Sequence, residues 1–374
     1  MNDDIPLVDL TPQIDERWDQ LESRVEDVMR SGYFINGPNV ESFEEDVADR
    51  LGVDHAIGLN SGTDALVIGL EAMGVDPGDE VITTPFTFFA TAEAIGQVGA
   101  RPVFADIDPE TFNLDPDSVR DQVTDDTAAI LPVHLFGLPA CMEALAEIAR
   151  DHDVQILEDV AQAMGATYEG RPVGSFGDTA AFSFFPTKTL GAFGDGGLLA
   201  TDDPEIAGQA RKLRKHGGSN KYANEMLGHN SRLDELQAAI LNVKLPNLAK
   251  RNEQRRQIAD HYDDLLGDIG GVQTPARPND RTHVFHQYTI RIRDGHRDAV
   301  KEDLADAGIS TKVYYPNPLH TMAFLDASMP EDGVLNAERA SREVLSLPSF
   351  PGLDPADQER VAAKIEGSLE ERTN

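Results

Sequence analysis

One of the chain's nine lysines, Lys188, stands in the run F-S-F-F-P-T-K-T-L-G-A-F-G-D-G-G from Phe182 to Gly197. Its neighbours are Phe184, Phe185, Leu190 and Phe193, and Gly194, Gly196 and Gly197 follow. Taking an ammonium out of water lowers its pKa and frees the amine as a nucleophile, the state Schiff-base chemistry requires. A lysine that snorkels from a loop edge with its head in water has the same neighbours. The stretch alone leaves both readings open.

Three other groups could serve such chemistry. Asn60-Ser61-Gly62-Thr63-Asp64 separates a short apolar run, 55–59, from a helical pattern through Leu66, Ile68 and Leu70. Free N–H groups of a first helical turn, a glycine that permits close approach and a hydroxyl from Ser61 or Thr63 make an anion site. The same residues also make an ordinary N-cap. Asp159 ends the apolar run that begins at Val154. A carboxylate there needs a partner such as a pyridinium N–H, or else caps the next helix. Phe86, Phe88 and Phe89 follow another apolar run, where an aromatic ring either stacks on a planar cofactor or fills the core.

These groups need a scaffold. Apolar spacing at Ile14, Trp18, Leu21, Val25, Val28 and Met29 predicts a first helix ending at Ser31-Gly32, and Val40, Phe43, Val47 and Leu51 predict a second, stopped by Gly52. Strands are predicted over 55–59, 80–84, 102–106, 128–133, 154–158, 180–184 and 198–201, alternating with helices after 62, over 88–98, 116–123 and 142–151, and from 204. Such alternation implies an α/β fold with a mostly parallel seven-stranded sheet covered by helices, and ligands beyond the carboxyl ends of its strands. Lys188, Gly62 and Asp159 all follow strands. A helical stretch from 236 to about 266, broken or kinked at Pro246, leads to a smaller α+β domain. That domain is predicted to hold strands over 284–292 and 310–313 and helices over 297–307, 337–345 and 357–369. The expected division is 1–250 and 251–374. Tyr314-Tyr315-Pro316-Asn317-Pro318-Leu319-His320 is expected on a loop that reaches over the cleft.

The totals narrow the function. The chain has 374 residues, 40% of them hydrophobic, enough for a sizeable core. Its net charge of −34 excludes nucleic acid or an anionic membrane as partner, because both demand a basic face. The acids are dispersed in short groups such as Glu44-Glu45-Asp46, which suggests a salt-loving cytoplasm rather than a binding tail. A single cysteine, Cys141, forms no internal disulfide, and no Cys/His cluster has metal-ligand spacing. The acidic amino terminus and the lack of a long apolar run lead us to expect a cytoplasmic protein.

Taken together, six ordered blocks resemble the pyridoxal-phosphate-dependent sugar aminotransferases of the DegT/DnrJ/StrS family, within the fold type I (aspartate aminotransferase-like) group. The blocks are N-S-G-T-D-A-L (60–66), T-F-F-A-T-A-E-A-I (87–95), E-D-V-A-Q-A-M-G-A (158–166), S-F-F-P-T-K-T-L-G-A-F-G-D-G-G (183–197), G-H-N-S-R-L-D-E-L-Q-A-A-I (228–240) and Y-Y-P-N-P-L-H (314–320). The resemblance covers nearly the whole chain. It implies that Lys188 carries the cofactor, Asp159 partners the pyridine nitrogen, Gln162 lies against the ring hydroxyl and Phe88 stacks on the ring. It implies phosphate contacts from Gly62, Thr63 and Ser183. Asn230 matches a phosphate ligand supplied by the other subunit of a dimer, so the site would be composite.

The same resemblance implies an amino acid donor, with glutamate expected, and a keto sugar linked to a nucleotide as acceptor. Within the family the chain is most similar to enzymes that aminate 3-keto sugars, among them those acting on UDP-2-acetamido-3-oxo-glucuronate. Arg232 would grip a sugar carboxylate or the pyrophosphate, or else pair across a subunit boundary. Tyr314, Tyr315 and His320 are expected on the substrate side. Tyr314 stands where that subgroup has a histidine, so a 4-keto acceptor is the alternative. A cofactor-binding regulator without turnover is the reading from another class. Lys188 argues against the relatives that dehydrate sugars, which carry histidine in its place.

Overall fold

The structure is a computed structural model and describes residues 4–220 and 223–373. Seven short apolar runs become the strands of one sheet: β1 (His55–Leu59), β2 (Glu80–Thr83), β3 (Arg101–Phe104), β4 (Thr127–Leu131), β5 (Gln155–Asp159), β6 (Thr179–Ser183) and β7 (Gly197–Thr201). Their order is β1-β7-β6-β5-β4-β2-β3. Only β7 runs against its neighbours, antiparallel to both β1 and β6, and the other pairs are parallel. The strands are apolar on both faces because both faces are covered. Helices Pro38–Leu51 and Met142–His152 pack on one side, and Gly62–Ala72, Ala90–Gln97 and Pro204–Leu213 on the other.

Register decides what meets at the carboxyl edge. Gly197 is opposite Leu59 on one side and Ser183 on the other, and Asp159 is beside Ala181. The turn after β1, the end of β6 and the end of β5 therefore converge, and the connection from β6 to β7 that carries Lys188 arches over the same point.

Pro246 breaks the long helical stretch as expected, into Glu235–Lys244, a 3-10 turn Leu245–Asn247 and Leu248–Leu266. Beyond it, β8 (Val272–Gln273), β9 (Tyr288–Ile292) and β10 (Val344–Leu347) form a separate antiparallel sheet in the order β8-β9-β10. A third core packs it against helices Leu248–Leu266, Arg297–Asp306 and Pro355–Thr373, and takes in Ile5 from the amino-terminal arm. Two expectations fail here. The strand predicted over 310–313 is reduced to a single bridge between Lys312 and Ser346, and the helix predicted over 337–345 ends at Glu343. The chain enters β10 at Val344, where Val344, Leu345 and Leu347 are all buried and Ser346 satisfies its hydroxyl on Thr289 at 2.8 Å. Apolar spacing could not separate the end of that helix from the start of this strand.

Candidate active site

At the turn after β1, the Ser61 hydroxyl accepts from the Asp64 N–H at 3.0 Å, so Ser61 is the N-cap of helix Gly62–Ala72. The cap does not exclude an anion site, because Gly62 and Thr63 still line a cavity of about 410 Å³ at the helix N-terminus. Gly62 is required by crowding: a Cβ there would lie 2.6 Å from Ser183 Cβ. Ser183 lines the same wall.

Lys188 lines this cavity and is half-buried. Its loop is pinned by backbone bonds from Phe184 to Gly196 and from Ala192 to Phe184, each 2.8 Å, and by the Gln237 amide, which accepts from Phe193 N–H at 2.9 Å. The buried Lys244 ammonium donates to the Gly191 carbonyl. Burial pushes the Lys188 amine down to about 8, and the Asp159 carboxylate pulls it partly back. The lowered amine, on a residue that lines the cavity, favours the nucleophile reading of the opening stretch over a snorkelling lysine.

Asp159 lines the cavity and is 5% exposed. Its oxygens accept from Ala161 N–H at 3.0 Å and the Thr91 hydroxyl at 3.1 Å. Burial raises its pKa against these bonds and against Lys188. This is a carboxylate short of positive charge. Glu158, one residue earlier and so on the opposite face, is in the reverse state. Burial alone would raise it, but bonds from His134 (3.0 Å), Gly174 (2.8 Å) and Gly177 (2.9 Å) hold it below the usual range. His134 Nδ1 accepts from Ala140 N–H, so its proton is on Nε2, facing Glu158.

Gln162 is fixed at both ends of its amide: Oε1 accepts from Phe136 N–H at 2.7 Å and Nε2 donates to Tyr315 Oη at 3.0 Å. Phe88 is exposed at the cavity mouth, and Tyr314 and Tyr315 close another side, their phenols raised by burial. Nine of the expected residues are therefore brought together: Gly62, Thr63, Phe88, Asp159, Gln162, Ser183, Lys188, Tyr314 and Tyr315.

Three are not. Asn230 is exposed, bonded to Arg232, and neither lines the cavity of its own chain. His320, expected on the substrate side, corrects that reading: it packs 3.4 Å from Glu338 in the turn Leu319–Thr321. Buried Leu319, whose N–H donates to the Pro85 carbonyl, draws the turn inward and takes His320 with it. Residues missed from the sequence are Thr91, which holds Asp159, and His286 and Gln287, which line the cavity ahead of β9. Thr91 falls one helical turn after Thr87 in the aromatic block, the one available signal; nothing in spacing marks His286.

A planar phosphorylated pyridine fits these donors. The helix N-terminus suits its phosphate, the under-compensated Asp159 suits its ring N–H, and the lowered Lys188 amine suits its aldehyde. Among the described residues no cluster could hold a metal ion and no helix is long and apolar enough to cross a membrane.

Known proteins agree with that fit. The chain matches the solved structure of S. venezuelae DesV with a TM-score of 0.94 and 40% identity, covering 98% of this chain and 99% of that one. The protein is a fold type I, pyridoxal-phosphate-dependent aminotransferase. Residues 15–366 match the DegT/DnrJ/EryC1/StrS aminotransferase family, and the chain belongs to it. Similar curated relatives include a pleiotropic regulatory protein of Geobacillus stearothermophilus, 50% identical over 96% of this chain and 97% of its own. Another is the UDP-N-acetyl-3-dehydro-alpha-D-glucosamine 3-aminotransferase of Acidithiobacillus ferrooxidans, 43% identical over 98% and 99%.

Proposed function

We propose that this aminotransferase moves an amino group from glutamate to the 3-keto carbon of a nucleotide-linked 2-acetamido sugar, for amino-sugar or surface-glycan synthesis. The observation that carries the chemistry is the pairing of Lys188 and Asp159 in one cavity at the carboxyl edge of the sheet. The 3-keto position rests on the relative that acts on a UDP-linked 3-dehydro sugar.

Pyridoxal phosphate, when bound, supplies the electron sink for breaking a substrate C–H bond. Lys188 would hold it through its amine and, with that amine free again, would serve as the base and acid for proton transfer at the substrate carbon. Asp159 would keep the ring nitrogen protonated, and Thr91 and Ala161 orient Asp159. Gln162 would offer its amide to the ring hydroxyl, Phe88 would cover the ring, and Gly62, Thr63 and Ser183 would hold the phosphate. Tyr314 and Tyr315 shape the acceptor side.

Asn230 and Arg232 act in the partner's site. Support for a homodimer comes from the apolar side chains around them: Tyr33 and Leu227 are 69% and 95% exposed, and Ile35, 41% exposed, pairs with Asp234 four residues after Asn230. Exposed apolar groups near site residues that do not reach the cavity of their own chain suit a two-fold interface. Arg232 then reaches a pyrophosphate or sugar carboxylate.

The test loads the protein with pyridoxamine phosphate and offers 3-keto and 4-keto nucleotide sugars, with and without a carboxylate. Return of the aldehyde absorbance with a 3-keto sugar supports the proposal, and a 4-keto preference overturns the acceptor assignment. The relative described as a regulatory protein carries a second reading, cofactor binding without turnover. A yellow protein that no amino acid bleaches would favour it.

A further inference from the structure

His286 is a cavity residue with unsatisfied hydrogen-bonding capacity. It is 8% exposed, it lines the cavity with Lys188, and its Nδ1 is buried with no partner. Among the described residues no protein group bonds to Nε2 either. A buried N–H without an acceptor is rarer and costlier than a buried lone pair without a donor. The proton therefore belongs on Nε2, and the ring offers the cavity a neutral N–H.

The backbone that carries the imidazole is pinned. Val284 N–H donates to the Gly137 carbonyl at 3.0 Å and Gln287 N–H to the Phe136 carbonyl at 3.3 Å, on the same loop that fixes Gln162. Gly137, at φ +98°, lies so close that a Cβ there would be 3.0 Å from His286 N. It also stays neutral: burial, then Lys188 and Arg255, hold its pKa well below the usual value.

Arg255 supplies the second observation. It is 5% exposed and donates to the carbonyls of Phe285 (3.4 Å) and Ser349 (3.1 Å), with Nε unpartnered. Burial and Arg251 lower it only to about 10, so it is charged at neutral pH. No carboxylate pairs with it among the described residues. A buried charge without a counter-charge is costly, and an anion in the adjoining cavity would offset that cost.

We propose that His286 binds the α-carboxylate of the amino acid donor through Nε2–H, with the uncompensated charge of Arg255 behind it. This rests on the donor being an amino acid. A neutral donor in a positive field suits a group that must bind as an anion and leave again as the keto acid. It also leaves the partner subunit's Arg232 and the mouth of the site to the nucleotide sugar, so the two substrates need not share one cationic anchor.

The test separates the half-reactions in the cofactor-loaded protein. His286→Phe should lower kcat/KM for bleaching by glutamate by about ten- to a hundredfold, the loss expected for one hydrogen bond to a charged group. It should change the return reaction with the keto sugar by less than about threefold, well below that hydrogen-bond loss. Glutarate, which has no amine to react, should bind His286→Phe about tenfold or more weakly by calorimetry, and His286→Gln, which keeps an N–H, should recover most of that. Equal loss in both half-reactions, or wild-type glutarate binding by His286→Phe, overturns the assignment. A wild type that glutamate fails to bleach overturns the donor reading itself, and this assignment with it.

Discussion

Asp159 and Lys188 face one cavity with opposed shifts: burial raises the carboxylate and lowers the amine to about 8, and each pulls the other back toward its charged form. The pair is poised for a cofactor that brings a ring cation to one partner and an aldehyde to the other. Capture of the aldehyde needs the free amine. The rate at which apo-protein takes up pyridoxal phosphate should therefore rise with pH, with a midpoint near 8. In Asp159→Asn the midpoint should fall, because the charge that favours the ammonium is gone. Stopped-flow absorbance across the pH range checks both; an unchanged midpoint would show that the two groups are not coupled.

Asp159→Asn should also separate stability from catalysis. Without a cation at the pyridine nitrogen, kcat should drop by about a hundred- to a thousandfold. The apo-protein should gain stability. A folded pKa above the ordinary 3.8 means that ionising Asp159 costs more in the folded chain, a cost that appears as pH rises from 3.8 through the raised value. Apo Asp159→Asn should melt above apo wild type at neutral pH, and the gap should close below the ordinary carboxylate range. Calorimetry on both forms decides it.

Glu158→Gln should do the opposite one residue away. An amide cannot accept from His134 and three backbone N–H groups at once, so stability at pH 7 should fall by about 3–5 kcal/mol, the cost of breaking a buried pair. The depressed pKa places this contribution above 4.5, and it is lost as pH falls through the lower folded value. Denaturant melts at pH 7 and pH 4 should show the difference shrinking.

Gly62→Ala should weaken cofactor binding with little change in fold, because the new methyl meets Ser183 Cβ at 2.6 Å. Moving Ser183 aside disturbs the phosphate end of the cavity. Adding Ser183→Gly should relieve the clash and restore part of the affinity, measured by equilibrium dialysis of pyridoxal phosphate. No recovery in the double variant would place the effect elsewhere.

The charge of −34 makes a last prediction. Dispersed carboxylates repel one another, and raising salt from about 0.1 M to 1 M shortens the screening length from about 10 Å to 3 Å. The melting temperature should climb with potassium chloride over that range. A flat or falling curve would refute the salt-loving reading.

Local pattern carried much of this protein. All seven strands of the large sheet, the Ser61 cap, the break at Pro246 and the stop at Gly52 follow from apolar runs, a capping hydroxyl, a missing N–H and a glycine. Each is decided by neighbours along the chain, so each is legible there. The order of motifs likewise pointed to Lys188 and Asp159, because each lies at or beyond the carboxyl end of a strand. By themselves, though, those residues left every choice open between a site and a plain structural role.

Tertiary structure decided which of those groups share a cavity. The antiparallel return of β7 puts Gly197 between Leu59 and Ser183, and only that register brings Gly62, Ser183 and Lys188 to one cavity. It removed His320 and supplied Thr91 and His286, which reach the cavity from residues far apart in sequence. The sequence determined which groups are able to react. Burial and register decided which of them meet, and so left Asp159 short of a positive charge and Lys188 short of water.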